Sequence, residues 1–341
     1  HSIVDERSAG YVALGMAKEL GEPLVLVTTS GTAVLNLSPA IAEAFQQQLP
    51  LLVLTADRPR EKISRFNNQV CDQRAPYFNY SKGFMEFPAE IREEEDLERE
   101  IGTASLLFQE ALSYPAGPVH LNVPLTEPLY EPLPGPILSR QDTFVDIETN
   151  TSGRASAPDF DLAAKKVMIL AGMGKSDPAL QQVLEQLPAA VVAENISNLD
   201  SEHFISVPEL VLAGASDQER AVLVPELVIA FGQQVVSKRL RLFLQSQEKL
   251  QIWELQEGST LTDKFRNLLS SSKRDSSYRS LWKELEEREC SRAEDYLRDI
   301  PFGNLGAVAG ILEAVPSQWV IHLGNSTTVR LSQLIRKRSD L

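Results

Sequence analysis

Leu24-Val25-Leu26-Val27-Thr28-Thr29-Ser30-Gly31-Thr32-Ala33 sets the architecture of the chain. Its opening residues are apolar or β-branched without polar alternation, which suits a strand covered on both faces in a parallel sheet. A hydroxyl-rich turn then passes through Gly31 into helical periodicity that runs from Thr32 to Gln48. Glycine permits a tight turn and close backbone approach, and the first N–H groups of the following helix have no partner within it. Strand, glycine turn and helix form the opening of a βαβ unit.

The same alternation recurs outward from it. Short apolar runs at Leu51–Thr55, Val119–Val123, Val167–Leu170, Ala189–Ala193, Leu227–Phe231 and Trp319–Leu323 read as further buried strands. Helical periods cover Arg7 to Leu20, stopped by Gly21 as a C-terminal cap, then Glu98 to Ser113 and Thr327 to Arg336. This order predicts an α/β chain of parallel sheets joined by right-handed crossovers. Two breaks divide it. From Glu131 to about Pro158, Pro, Ser, Thr and Gly replace the apolar period and predict an interdomain linker. From about Gly258 to Ser277, Ser, Lys and Asp cluster ahead of a charged helix, Tyr278 to Leu297, whose Glu284, Glu286, Glu287 and Glu289 read as a solvated face. The βα unit at the end cannot bury a sheet face alone, so the domains at both ends are expected to continue beyond the chain.

The composition narrows the function. The 341 residues, 43% of them hydrophobic, leave room for two domains and part of a third. A formal net charge of −14 argues against a nucleic-acid backbone as partner. No apolar run reaches the ~18 residues of a membrane span. Cys71 and Cys290 offer neither a disulfide framework nor a thiolate site, and His1, His120, His203 and His322 lack metal-ligand spacing. A cytoplasmic protein with no metal-ligating residue of its own is expected.

Three short motifs can carry chemistry. In Asp5-Glu6-Arg7, Asp5 can cap a helix while Glu6 complements its dipole, and alone these residues say no more. Ser30-Gly31-Thr32 lies at a strand-to-helix switch, as any α/β turn does. In Thr55-Ala56-Asp57-Arg58-Pro59 a buried strand ends in charged residues, where α/β sheets bind ligands; Arg58 reads either as an anion-binding group or as half of a surface ion pair. Ala171-Gly172-Met173-Gly174-Lys175 lacks the spacing of a phosphate loop and reads as a structural turn. His120, inside a strand, reads as a satisfied core imidazole.

Order and spacing add what single motifs lack. DERSAGYVALGMAKELGEPLVLVTTSGTA from Asp5, PLLVLTADRP from Pro50, NNQ at Asn67–Gln69 and GPVHLNVPLTEPLY from Gly117 resemble one family, the thiamine diphosphate-dependent 2-succinyl-5-enolpyruvyl-6-hydroxy-3-cyclohexene-1-carboxylate synthases, or MenD family. The resemblance returns at Ser237-Lys238-Arg239 and at Gly324-Asn325-Ser326-Thr327-Thr328-Val329-Arg330. It implies three-layer parallel-sheet domains of the thiamine diphosphate-binding type: a pyrimidine-binding domain over 1–145, N-terminally incomplete; a Rossmann-like central domain over 155–275; and the start of a diphosphate-binding domain over 276–341.

The implied reaction decarboxylates 2-oxoglutarate and adds the succinyl carbanion equivalent to isochorismate in a 1,4-addition, a step of menaquinone biosynthesis. Glu6 matches the glutamate that activates the cofactor, and Ser30, Gly31 and Thr32 match cofactor-binding positions. Arg58, Asn68, Gln69, Lys238 and Arg239 match the isochorismate side; Ser326 and Arg330 match positions that hold the succinyl carboxylate or the decarboxylated intermediate. Lys238-Arg239 also reads as a solvated turn of a helix beginning near Gln233, and Arg330 as an exposed helix residue. The resemblance further implies Mg2+ or Mn2+, with metal and diphosphate ligands expected outside this chain, and a homodimer or homotetramer. The family's upstream Ser-Arg segment and its downstream Gly-Asp-Gly…Asn motif have no counterpart here, so these 341 residues alone are expected not to turn over substrate. Two other readings are an acetolactate synthase-like enzyme and a non-catalytic α/β binding module.

Overall fold

A computed structural model describes residues 1–63, 68–91, 93–127, 129, 166–255, 261–271, 276–316 and 319–335. The expected linker, Glu131 to about Pro158, lies wholly outside them, as do Asn67 and Arg336. The chain forms two compact units, His1–Ala155 and Ser156–Leu341. Each is built on a four-stranded parallel sheet, so the class is α/β.

The first unit contains α1 (Glu6–Leu20), β1 (Leu24–Thr28), α2 (Thr32–Asn36), α3 (Ser38–Gln46), β2 (Leu51–Asp57), β3 (Gly83–Glu86), α4 (Glu94–Leu112) and β4 (Val119–Pro124). Its strand order is β1-β2-β4-β3. The apolar face of α1 and the inward residues of α3 pack with Leu26, Leu51 and Val53 of the sheet. Gly10 lets the two helices meet: a Cβ there would stand 2.8 Å from the Ala40 Cβ. Gly21 ends α1 at φ 73° and donates its N–H to the Ala17 carbonyl, as the C-terminal cap requires.

The second unit contains β5 (Val167–Ala171), α5 (Pro178–Gln186), β6 (Ala190–Ala193), α6 (Pro208–Gly214), α7 (Asp217–Leu223), β7 (Leu227–Phe231), α8 (Lys238–Gln245), β8 (Gln251–Glu254), α9 (Leu261–Ser271), α10 (Ser277–Asp299), α11 (Asn304–Ala314) and α12 (Thr327–Ser332). Its strand order is β6-β5-β7-β8. Every residue of β5 is buried. Val167, Ile169 and Ala171 join a core with α5 and α9, while Met168 and Leu170 join the core on the opposite face with α6, α8 and α10. This is the both-faces burial that an uninterrupted apolar run demands.

Several elements depart from expectation. The helix foreseen over Thr32–Gln48 is two helices, α2 and α3, because Pro39 lies at the start of α3 and lacks the N–H to continue α2. β1 is not covered on both faces: Val25 and Val27 are 55% and 74% exposed, since β1 is an edge strand and α4 packs on β2, β3 and β4. Trp319–Leu323 is no strand. It has no neighbour to pair with among the described residues, and Trp319 and Val320 are 66% and 81% exposed.

The break over 258–277 holds α9, whose Leu261, Phe265 and Leu268 keep a helical spacing and are buried. Nor is α10 simply a solvated face. Tyr278, Trp282 and Leu285 are core residues of the second unit. Glu286 is buried, accepts the Ser206 and Val207 N–H groups at 2.6 and 3.0 Å, and is paired with Lys283 at 2.6 Å. α10 opens the segment expected to begin a third domain, yet its core packing is with the second sheet.

Trp282, fully buried in that core, gives the test of this packing. Trp282→Ala is expected to cost about 3–5 kcal/mol in the second unit. Faster amide hydrogen exchange in β5 and β7 would record it, and unchanged protection there would contradict the packing of α10.

Candidate functional site

In a parallel sheet, chemistry collects beyond the carboxyl ends of the strands. In the first unit β1 and β2 run side by side, with Thr28 opposite Thr55, so the turn after Thr28 and the Asp57-Arg58 step open at the same end of the sheet. Gly31 takes φ 83°, ψ −142°, a backbone state reserved for glycine. A Cβ there would also lie 2.8 Å from the Gln69 carbonyl oxygen. Arg58 Nη1 donates to Ser30 Oγ at 3.2 Å and to the Gln69 carbonyl at 3.0 Å. Gln69 Nε2 returns a bond to the Ser30 carbonyl at 3.0 Å. Among the described residues neither Nε nor Nη2 of Arg58 has a partner, so the guanidinium keeps donors for an anion.

Thr32 and Asn68 are exposed beside this cluster. Asp5 caps α1 by accepting the Ser8 N–H at 2.7 Å, as expected of an aspartate at a helix start. Glu6, half-buried, accepts from Asn36 Nδ2 at 3.3 Å, which ties the start of α1 to the end of the helix that Gly31 opens. The residues fit the pyrimidine end of thiamine diphosphate in chemical kind: a half-buried carboxyl able to accept from a ring nitrogen, and a glycine turn with no Cβ in the way.

A buried polar chain stands behind the turn. The Gly31 N–H donates to Gln73 Oε1 at 2.8 Å, and Gln73 Nε2 donates to the Ala56 carbonyl and to Asn122 Oδ1 at 3.0 and 2.9 Å. Asn122 Nδ2 donates to Asp57 Oδ2 at 2.9 Å. Thr55 Oγ1 donates to Asn122 Oδ1 at 2.7 Å, so toward His120 Nε2, 2.8 Å away, its oxygen can only accept. His120 is therefore the Nε2–H tautomer. Its Nδ1 is buried without a partner among the described residues, so there the imidazole is only half satisfied, where the sequence suggests a fully satisfied one. Burial between the Tyr77 and Phe84 rings lowers its pKa to about 4.

In the second unit, Lys238 and Arg239 open α8, capped by Ser237; the helix does not begin near Gln233. Both side chains are exposed, and Arg239 pairs with Glu209 at 3.1 Å. Ser326, at φ 73°, and Arg330 are exposed at the N-terminal end and on the body of α12. The Gly172-Met173-Gly174 turn is closed by backbone bonds: Gly172 N to the Phe231 carbonyl, Met173 N to Gln234, and Gly174 N to Ile196, at 2.8, 2.9 and 3.1 Å. Its N–H groups are spent within the fold, which agrees with a structural turn. Among the described residues no group of three or more His, Cys, Asp or Glu could hold a metal ion.

The structure thus gathers Ser30, Gly31, Arg58 and Gln69. The sequence reading missed Gln73 and Asn122. Asn122 had a signal, an amide inside the apolar run Val119–Pro124, because a polar group in a buried strand requires partners.

Residues 1–75 match the family described as thiamine pyrophosphate enzyme, N-terminal TPP binding domain. Over its whole length the chain is 32% identical to a 2-succinyl-5-enolpyruvyl-6-hydroxy-3-cyclohexene-1-carboxylate synthase of Desulfotalea psychrophila and covers 66% of it. To the synthase so named from Flavobacterium psychrophilum it is 31% identical, again over its whole length, covering 64%. To that of Porphyromonas gingivalis it is 32% identical over 97% of the chain, covering 63%. The chain thus spans just under two thirds of the length of these relatives.

His120 makes the first unit acid-sensitive. An unfolded chain binds a proton at this residue near pH 6.5, whereas the folded imidazole resists it until about 4. The unfolded state therefore gains a proton first as pH falls, and stability, full above pH 6.5, drops by about 3 kcal/mol across that window. His120→Gln, which keeps a donor for Thr55 but cannot titrate, is expected to flatten the slope in pH-dependent denaturant melts. An unchanged slope would remove His120 as its source.

Proposed function

The chain belongs to the thiamine diphosphate-dependent 2-succinyl-5-enolpyruvyl-6-hydroxy-3-cyclohexene-1-carboxylate synthase family, and on that premise we propose that it supplies the pyrimidine side of the cofactor site and part of the substrate pocket of such a synthase in menaquinone biosynthesis. The reaction is decarboxylation of 2-oxoglutarate and 1,4-addition of the succinyl unit to isochorismate. Thiamine diphosphate, when bound, supplies the electron sink.

Glu6 hydrogen-bonds a ring nitrogen of the aminopyrimidine and holds the proton there. Ser30, Gly31 and Thr32 would hold the cofactor at the turn after β1. Arg58, Asn68, Gln69, Lys238 and Arg239 bind isochorismate, and Ser326 and Arg330 bind the succinyl carboxylate. Both substrates are dicarboxylates, so a chain of net charge −14 must concentrate cations locally, and the arginine fork meets a carboxylate with two parallel bonds. Mg2+ or Mn2+ would hold the diphosphate when the cofactor is bound. A cytoplasmic homodimer or homotetramer is the proposed active form. In the described residues no helix is long and apolar enough to cross a membrane.

One observation carries this reading. Arg58 bonds Ser30 Oγ and the Gln69 carbonyl beside the Gly31 turn, so residues assigned separately to cofactor and to substrate stand within hydrogen-bond distance of one another.

The test is Glu6→Gln in the natural full-length gene product. Exchange of the thiazolium C2 proton with solvent, followed by NMR after acid quench, is expected to slow by at least about 10²-fold, the usual worth of a positioned acid–base group. Exchange and turnover both at wild-type rates would remove Glu6 from the role.

A further inference from the structure

Two basic residues in the first turn of α8 stand against elementary electrostatics. A helix N-terminus carries partial positive charge and favours anions, yet Lys238 and Arg239 open this helix and its first turn holds no acidic residue. The compensation comes from other elements. Glu194, directly after β6, is 1% exposed, and its two oxygens accept the Val236 and Ser237 N–H groups at 2.5 and 2.8 Å. Glu209 of α6 accepts from Ser237 Oγ at 2.6 Å and from the Arg239 N–H at 3.0 Å. Ser237 already caps α8 through Leu240 N, so a buried carboxylate here exceeds what the helix start needs. Burial raises the Glu194 pKa, opposed by its two backbone bonds.

The next residue reaches a different segment. Asn195 Nδ2 donates to the Ser332 carbonyl at 2.9 Å and to Ser332 Oγ at 3.3 Å, and Asn195 N donates to Gln333 Oε1 at 3.4 Å. Ser332 and Gln333 are buried, and Ser332 closes the helix that carries Arg330 two residues earlier. Beneath this dipeptide the strand end is held by the Ala193 N–H on the Ile205 carbonyl at 3.0 Å.

We propose that Glu194 and Asn195 are positioning residues that fix the Lys238–Arg239 and Ser326–Arg330 segments to one anchor at the carboxyl end of β6. Glu194 sets the backbone from which Lys238 and Arg239 leave, and Asn195 sets the helix from which Arg330 leaves. Neither touches substrate. The inference rests on the proposed function for the identity of the two ligands, isochorismate on the first segment and the 2-oxoglutarate carboxylate on the second.

The experiment compares Glu194→Gln and Asn195→Ala with wild type in the natural full-length enzyme, loaded with thiamine diphosphate and Mg2+. Glu194→Gln is expected to raise KM for isochorismate by roughly fivefold or more, the worth of about one lost hydrogen bond, and Asn195→Ala to do the same for 2-oxoglutarate. In both, kcat is expected to stay within about twofold, since ground-state and transition-state binding fall together. Amide exchange should quicken at 237–239 in the first variant and at 329–333 in the second, with β5 and β7 unchanged. A drop in kcat and melting temperature without a KM change would show a merely structural role and overturn the proposal; so would unchanged KM and exchange in both variants. Should one variant fail to fold, the other decides. A wild type that ignores isochorismate while the exchange pattern holds would sink the functional reading and leave the anchor standing.

Discussion

Parallel strand pairing governs where the functional residues of both units can meet. A parallel strand must send its chain back across the sheet before the next can begin, so every carboxyl end opens at the same edge. In the first unit that geometry sets Ser30 and Gly31, just after β1, beside Arg58, just after β2. In the second it sets Glu194, just after β6, against Val236 and Ser237, past β7, though β5 lies between those two strands. Residues remote in sequence meet because their strands share a direction.

The edge alone would leave a loose turn. In the first unit a run of buried amides and hydroxyls stiffens it: Gln73 holds the Gly31 N–H, Asn122 holds Gln73, and Asp57 holds Asn122. Each amide uses its oxygen and its nitrogen on partners of the matching kind, so neither can flip without losing bonds on both sides. His120 is where this run is incomplete, with one ring nitrogen bonded to Thr55 and the other buried without a partner among the described residues. The second unit achieves the same end with carboxylates, since Glu194 accepts the desolvated Val236 and Ser237 N–H groups while Glu209 pairs with Arg239.

Much of this was legible in the sequence where one local rule governs. Gly21 ended α1, the all-apolar run of β5 was buried on both faces, and Gly31 made the turn, because capping, strand burial and positive φ are decided within a few residues. What the sequence reading missed is non-local. α9 was passed over because Ser, Lys and Asp around it masked the spacing of Leu261, Phe265 and Leu268. The glutamates of α10 looked solvated because sequence cannot say that Ser206 and Val207 present their N–H groups to Glu286. Val25 and Val27 looked buried because an edge strand and a central one carry the same apolar pattern. For the candidate site, ordered motifs singled out Ser30, Arg58 and Gln69, whereas Gln73 and Glu194 matter through bonds to backbone that no spacing rule reveals.

We propose that these residues serve a synthase joining 2-oxoglutarate to isochorismate. The most direct test incubates the natural full-length gene product with thiamine diphosphate, Mg2+, 2-oxoglutarate and isochorismate and follows carbon dioxide and products by mass spectrometry. One carbon dioxide is expected for each isochorismate consumed, with the mass of the 1,4-adduct appearing in step. Consumption of pyruvate to acetolactate with isochorismate left untouched would contradict it.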